Sequence, residues 1–142
     1  MEFGASLGIS TIHLAAGLKD RGRGSLITTE IHPVKASALS ANLSEAGLGE
    51  IVEARLGDAL ETLRSLPGPV DLLCLDGWNE LHLPVLQLVA PHLSPDALVI
   101  ADLSAGDPDA RARHWRLSLS SQASRSRSLH LARESSRTTS TA

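Results

Sequence analysis

The chain of 142 residues has no tyrosine, one phenylalanine, two tryptophans, one methionine and one cysteine. Each scarcity closes off a class of protein. A lone Cys74 supports neither a disulfide framework nor a thiolate metal site, which leaves it as a small hydrophobe to be buried in the apolar run from Val70 to Leu75. No apolar run reaches the roughly 18 residues of a membrane-crossing helix. Glu2 also stands where a signal peptide would begin its basic region. The expected setting is therefore the reducing cytoplasm, with no membrane partner.

Charge is unevenly distributed. Residues 1–110 hold 6 Lys and Arg against 15 Asp and Glu, a balance of −9, whereas residues 111–142 hold 7 Arg against 1 Glu, a balance of +6. That last stretch also has nine serines, no lysine and little apolar periodicity. Such a composition buries too little apolar surface to offset the entropy of ordering it, so residues 110–142 are expected to form a disordered Ser/Arg-rich tail. With Trp115 alone it lacks the set of aromatic stacking residues of a single-strand binder, and a specific nucleic-acid role is not expected of it. The abrupt change near Asp109 reads as a wrong-frame or degenerate gene end.

Strand and helix patterns alternate over residues 1–109. Leu26 to Glu30 is a β-rich run after the breakers Gly22 and Gly24, and Val34, Ala36, Leu39, Leu43 and Ala46 line one side of a helix that Gly47 stops. Ile51 to Leu56 alternates through Val52, Ala54 and Leu56. Leu60, Leu63 and Leu66 follow at helical spacing, and Val70 to Leu75 is nearly continuous apolar sequence, as in a strand covered on both faces. A helix is expected over Leu81 to Leu93, and a last buried strand over Ala97 to Ala101. The strands end on or beside carboxylates: Glu30, Asp58, Asp76 and Asp102. This βα alternation predicts an α/β fold, a Rossmann-like doubly wound parallel sheet whose ligand lies at the carboxyl edge.

The opening stretch, Glu2-Phe3-Gly4-Ala5-Ser6-Leu7-Gly8-Ile9-Ser10, is a glycine-punctuated turn running into a helix. Glycine lets a ligand approach the main chain, and the helix start offers free amides to a carboxylate or phosphate. A dinucleotide fingerprint would need glycine where Ser6 stands, and Gly8 comes one residue early. That disfavours a nicotinamide-dependent oxidoreductase. A hydrolase nucleophile at Ser6 would need a well-placed histidine later in the sheet, which is missing.

Four motifs, in order and each at a strand end, carry a resemblance: Glu2 through Ser10, Glu30-Ile31-His32-Pro33, Gly57-Asp58-Ala59, and Leu75-Asp76-Gly77-Trp78. Residues 1 to about 109 resemble the S-adenosylmethionine-dependent class I O-methyltransferases of the catechol O-methyltransferase-like group, truncated at both ends. The resemblance implies that Glu2 offsets the ammonium of S-adenosylmethionine, while Gly4, Ser6 and Ser10 hold its carboxylate. Glu30, 22 residues beyond Gly8, would take the ribose hydroxyls. Asp58 and Ala59 would border the adenine, and Trp78 would pack beside the cofactor. Asp76 and Asp102 would hold Mg²⁺, with Asp76 and Asn79 at the catalytic centre. The acceptor would be a small hydroxylated molecule; no motif speaks to the oligomeric state.

Two positions depart from the family pattern. Leu103 stands where a third metal ligand is expected, and Asn79 replaces a lysine that takes the acceptor proton. Asn is no base near neutral pH, so activity is expected to be weak or lost, and a non-catalytic cofactor-binding or interaction module is the alternative. Plainer roles stay open as well. Glu30 could be a solvated strand end, Asp58 a cap, Trp78 core packing, Asp76 and Asp102 structural carboxylates, and His82 a surface residue instead of a substitute base.

Overall fold

The computed structural model describes residues 1–102. The expected tail over 110–142, the domain boundary at 109 and the departure at Leu103 lie outside the described residues. The elements are β1 (Glu2–Phe3), α1 (Ile9–Asp20), β2 (Leu26–Glu30), α2 (Pro33–Glu45), β3 (Val52–Leu56), α3 (Ala59–Thr62), β4 (Val70–Leu75), α4 (Asn79–Val89), a 3₁₀ turn (Ala90–His92) and β5 (Leu93–Ala101).

All five strands run parallel in the order β3-β2-β1-β4-β5. Apolar residues of successive positions go to opposite faces, as the period of a strand requires: Leu26 joins one core cluster and Ile27 the other. The first cluster gathers Ala15 of α1, Leu39 and Leu43 of α2, and Leu48. The second gathers Phe3, Leu73, Leu75, Leu63, and Val85, Leu86 and Val89 of α4. Both faces of β1 and β2 are thus covered, while β4 buries Leu73 and Leu75 on the α4 side and leaves Leu72 and Cys74 half-buried, short of the two-sided cover its apolar run predicts. With helices on both sides of the sheet, this is the doubly wound arrangement expected of the alternating pattern. The order reverses between β1 and β4, which makes the carboxyl ends of these two strands the crevice of the sheet.

Three boundaries differ from the sequence reading. α3 stops at Thr62 instead of reaching Leu66, although Leu63 is fully buried, because the chain turns away through Pro67, Gly68 and Pro69 toward β4. α4 begins at Asn79, with Pro84 inside it, and ends at Val89. β5 then starts at Leu93 and includes Ser94, Pro95 and Asp96; among the described residues it is an edge strand, and its register against β4 shifts between Val70 and Leu72, where a residue without an N–H is tolerated. β3 is the other edge, so Ala54 and Leu56 remain exposed despite their alternation. Among the described residues no helix is long and apolar enough to cross a membrane.

Candidate cofactor site at the carboxyl edge

At the sheet's centre, Phe3 pairs with Leu75 and the Asp76 N–H donates to the Phe3 carbonyl (2.9 Å), while the Asp102 N–H donates to that of Leu75 (2.9 Å). Three strand tips therefore stand in a row. The two central loops leave these tips nearly touching: a Cβ on Gly4, whose φ is +93°, would lie 2.5 Å from the Gly77 Cα, and one on Gly77 would enter the Phe3 ring. Only glycine fits at either place.

The loop between β1 and α1 is held at several points. Gly4 and Ala5 donate to the Thr29 carbonyl, and Gly8 donates back to that of Ala5. Asn42 of α2 donates from Nδ2 to the Leu7 carbonyl (2.9 Å). Ser6 adopts φ +50°, the one non-glycine residue in the left-handed region among the described residues. Its N–H is received by Glu30 Oε2 (2.8 Å), and Glu30 Oε1 receives the His32 N–H (2.8 Å). Glu30 is thus a carboxylate fixed by two amides, rather than a loose strand end.

Glu2 is enclosed at the foot of this loop. It is 0% exposed, and its Oε2 receives the hydroxyls of Thr11 (2.5 Å) and Thr28 (2.6 Å), with Oε1 buried and lacking a hydrogen-bond partner. The carboxylate lies beneath the loop, between α1 and β2. Thr11 is in the first turn of α1, so the buried charge also sits near the positive end of that helix. Ser10 shares this turn and is half-buried; Gly8 caps α1 without a side-chain hydrogen bond.

Asp58 is the cap of α3, its Oδ1 receiving the Leu60 N–H (2.8 Å), and Ala59 is buried behind it. Trp78 is 64% exposed at the start of α4, which rules out the core-packing role. Asn79 follows it as the first residue of α4. Asp76 and Asp102 are both exposed at neighbouring tips. Partial burial, then the charges of Asp102 and Glu2, then a hydrogen bond with Asp102 raise the Asp76 carboxyl above its ordinary range. Burial and the neighbouring Glu2 likewise push the Cys74 thiol up to about 11, and the residue is half-buried. Such a thiol is unreactive at neutral pH.

His82 is the clearest reversal. It is 1% exposed, its Nε2–H donates to the Gly77 carbonyl (3.1 Å), and its ring meets Phe3 edge-on at 6.1 Å. It supports the turn after β4 from below and does not face the crevice. Its stripe with Val85, Leu86 and Val89, at helical spacing, was the signal for burial. No group of three or more His, Cys, Asp or Glu residues that would hold a metal ion occurs among the described residues.

A family model described as a methyltransferase domain matches residues 1–102. A catechol O-methyltransferase of Mycobacterium tuberculosis (strain ATCC 25618 / H37Rv) is 35% identical over 103 residues, which are 72% of this chain and 46% of that protein. Another catechol O-methyltransferase, from Niastella koreensis, is 33% identical over 106 residues, 72% of this chain and 47% of that protein. Among solved structures, the O-methyltransferase TomG of Streptomyces achromogenes, in complex with S-adenosylmethionine, superimposes with a TM-score of 0.69 at 28% identity over 88% of this chain and 60% of TomG. The chain spans about half the length of the curated relatives it matches.

Two outcomes test this geometry. Replacing Thr11 or Thr28 by valine removes one hydroxyl from a buried charge and is expected to cost about 1–3 kcal/mol in urea unfolding; no loss in either variant would contradict the grip on Glu2. The raised Asp76 favours the folded state while it is protonated, and that contribution disappears as pH rises through its elevated range. Asp76→Asn is therefore expected to raise the melting temperature near pH 7 and to change it little below about pH 4, as thermal unfolding across pH would read.

Proposed function

This chain belongs to the methyltransferase-domain family, and from that premise we propose that it binds S-adenosylmethionine across the carboxyl edge and serves methyl transfer to a hydroxyl of a small-molecule acceptor. The observation that carries the reading is Glu30. Its carboxylate is fixed by the Ser6 and His32 amides at the edge of the crevice, and each oxygen keeps a lone pair for a ribose hydroxyl. Gly4, Ser6 and Ser10 line the turn into the α1 N-terminus, whose amides and dipole suit the cofactor's carboxylate. Glu2 takes the place of a positioning group, holding α1 and β2 beneath that turn. Asp58 and Ala59 would lie at the adenine and the exposed Trp78 ring beside the cofactor.

S-adenosylmethionine supplies an electrophilic methyl on its sulfonium; the chain supplies orientation and a place for the acceptor's proton. Asp76 is the candidate to receive that proton, with a carboxyl already raised by its surroundings, while Asn79 orients by hydrogen bonding only. Asp76 and Asp102 are also the two oxygen donors a Mg²⁺ ion would use, since a divalent cation offsets the repulsion between them, and water and acceptor oxygens would complete its shell. Such a metal would make the acceptor oxygen more nucleophilic. The reading carries a cytoplasmic setting with it.

Calorimetric titration of the full chain with S-adenosylhomocysteine and with its 2′-deoxy analogue tests the proposal. The unsubstituted chain is expected to prefer the hydroxylated ligand by about tenfold, the worth of one charge-assisted hydrogen bond, and Glu30→Gln to lose most of that preference. An absence of binding, or a preference unchanged in Glu30→Gln, would overturn it. Binding without methyl release to any hydroxylated acceptor would leave a cofactor-binding module.

A further inference from the structure

From the anchoring of α3 we infer that Arg55 is a positioning residue for the adenine end of the cofactor, an assignment that rests on the cofactor reading above. α3 has four residues, too few to be helical by themselves. Its N-terminal end carries the Gly57-Asp58-Ala59 turn proposed to border the adenine. What fixes that turn must therefore come from outside the helix.

Arg55 lies on β3 one residue before its end, and its side chain is only 17% exposed although β3 is an edge strand. Its Nη1 donates both to the Thr62 carbonyl (2.6 Å) and to the Ser65 carbonyl (2.8 Å), while its Nε donates to Glu53 Oε1 (2.7 Å). Thr62 is the last residue of α3, so the guanidinium caps the carbonyl end, where the dipole is negative. Glu53, two residues earlier on β3, orients the planar head.

The turn is thereby held from both sides. At its start, Gly57 donates to the Glu30 carbonyl (3.0 Å), tying it to the tip of β2. At its finish, Asp58 caps Leu60 and Arg55 grips the far end of the same short helix. Buried Ala59 and Leu63 seat the helix on the core, but apolar contacts fix depth more than rotation. The directional bonds of Arg55 set the rotation, and with it the direction in which the remaining oxygen of Asp58 faces. Arg55 touches no ligand itself; it acts through the turn.

The test compares the full chain with Arg55→Met, which keeps the apolar stem, and Arg55→Lys, which keeps the charge but loses the fork. Each is titrated with S-adenosylhomocysteine, its hypoxanthine counterpart and its 2′-deoxy counterpart. Arg55→Met is expected to cut the preference for adenine over hypoxanthine severalfold, leave the preference for the 2′-hydroxyl unchanged, and Arg55→Lys to restore part of the base preference. A general structural role would weaken all three ligands by one factor, and that result, or a base preference unmoved in Arg55→Met, would overturn the assignment. Should Arg55→Met fail to fold, Arg55→Lys with full base preference would overturn it equally. If the unsubstituted chain binds none of the three ligands, the cofactor reading falls, and this assignment with it.

Discussion

The burial of the Glu2 carboxylate organises the site. A charge removed from water on the central strand costs several kcal/mol unless hydrogen bonds replace its hydration, and here the hydroxyls come from two other elements, Thr11 of α1 and Thr28 of β2. Satisfying Oε2 of Glu2 therefore brings the start of α1 over the tips of β1 and β2. The five residues between Phe3 and Ile9 must then close a tight path, which Gly4 and Gly8 permit and in which Ser6 is driven to a positive φ. The Ser6 amide, turned out of the loop, finds Glu30. One buried carboxylate thus presets the position of the second, Glu30, which is 8% exposed.

The edge around these groups is built against stability. Asp76 and Asp102 stand close enough that one raises the other's carboxyl. Leu7, Ile9, Ile31, Val34 and Trp78, all on the turns or first helical residues beyond β1, β2 and β4, are exposed. Repelling carboxylates beside uncovered apolar side chains are costs that a folded chain sustains where a ligand offsets them. The opposite pattern holds within the sheet, where Leu73 and Leu75 are fully buried.

Much of this was legible in the residues because the fold is written in two periodicities. The apolar run at Val70 to Leu75, the carboxylates at strand ends and the stripe through Leu39 and Leu43 gave strand, edge and helix face in turn. What could not be read depends on partners distant in sequence. Asn42 looks solvent-facing until the Leu7 carbonyl is brought to it, and Arg55 looks like an edge-strand charge until the end of α3 folds back on it. The burial of Glu2 was not legible, since Thr11 and Thr28 reveal themselves as its donors only once α1 and β2 flank β1. His82 was legible and misread: its spacing with Val85, Leu86 and Val89 outweighed its polarity.

A ligand that spans the carboxyl-edge turns together is read residue by residue by hydrogen exchange on the full chain with and without saturating S-adenosylhomocysteine. Slowed exchange is expected in the turns of residues 4–10, 30–32, 57–60 and 76–79, with the amino-edge turns at 21–25 and 66–69 unchanged. No slowing at the carboxyl edge, or equal slowing at both edges, would contradict it.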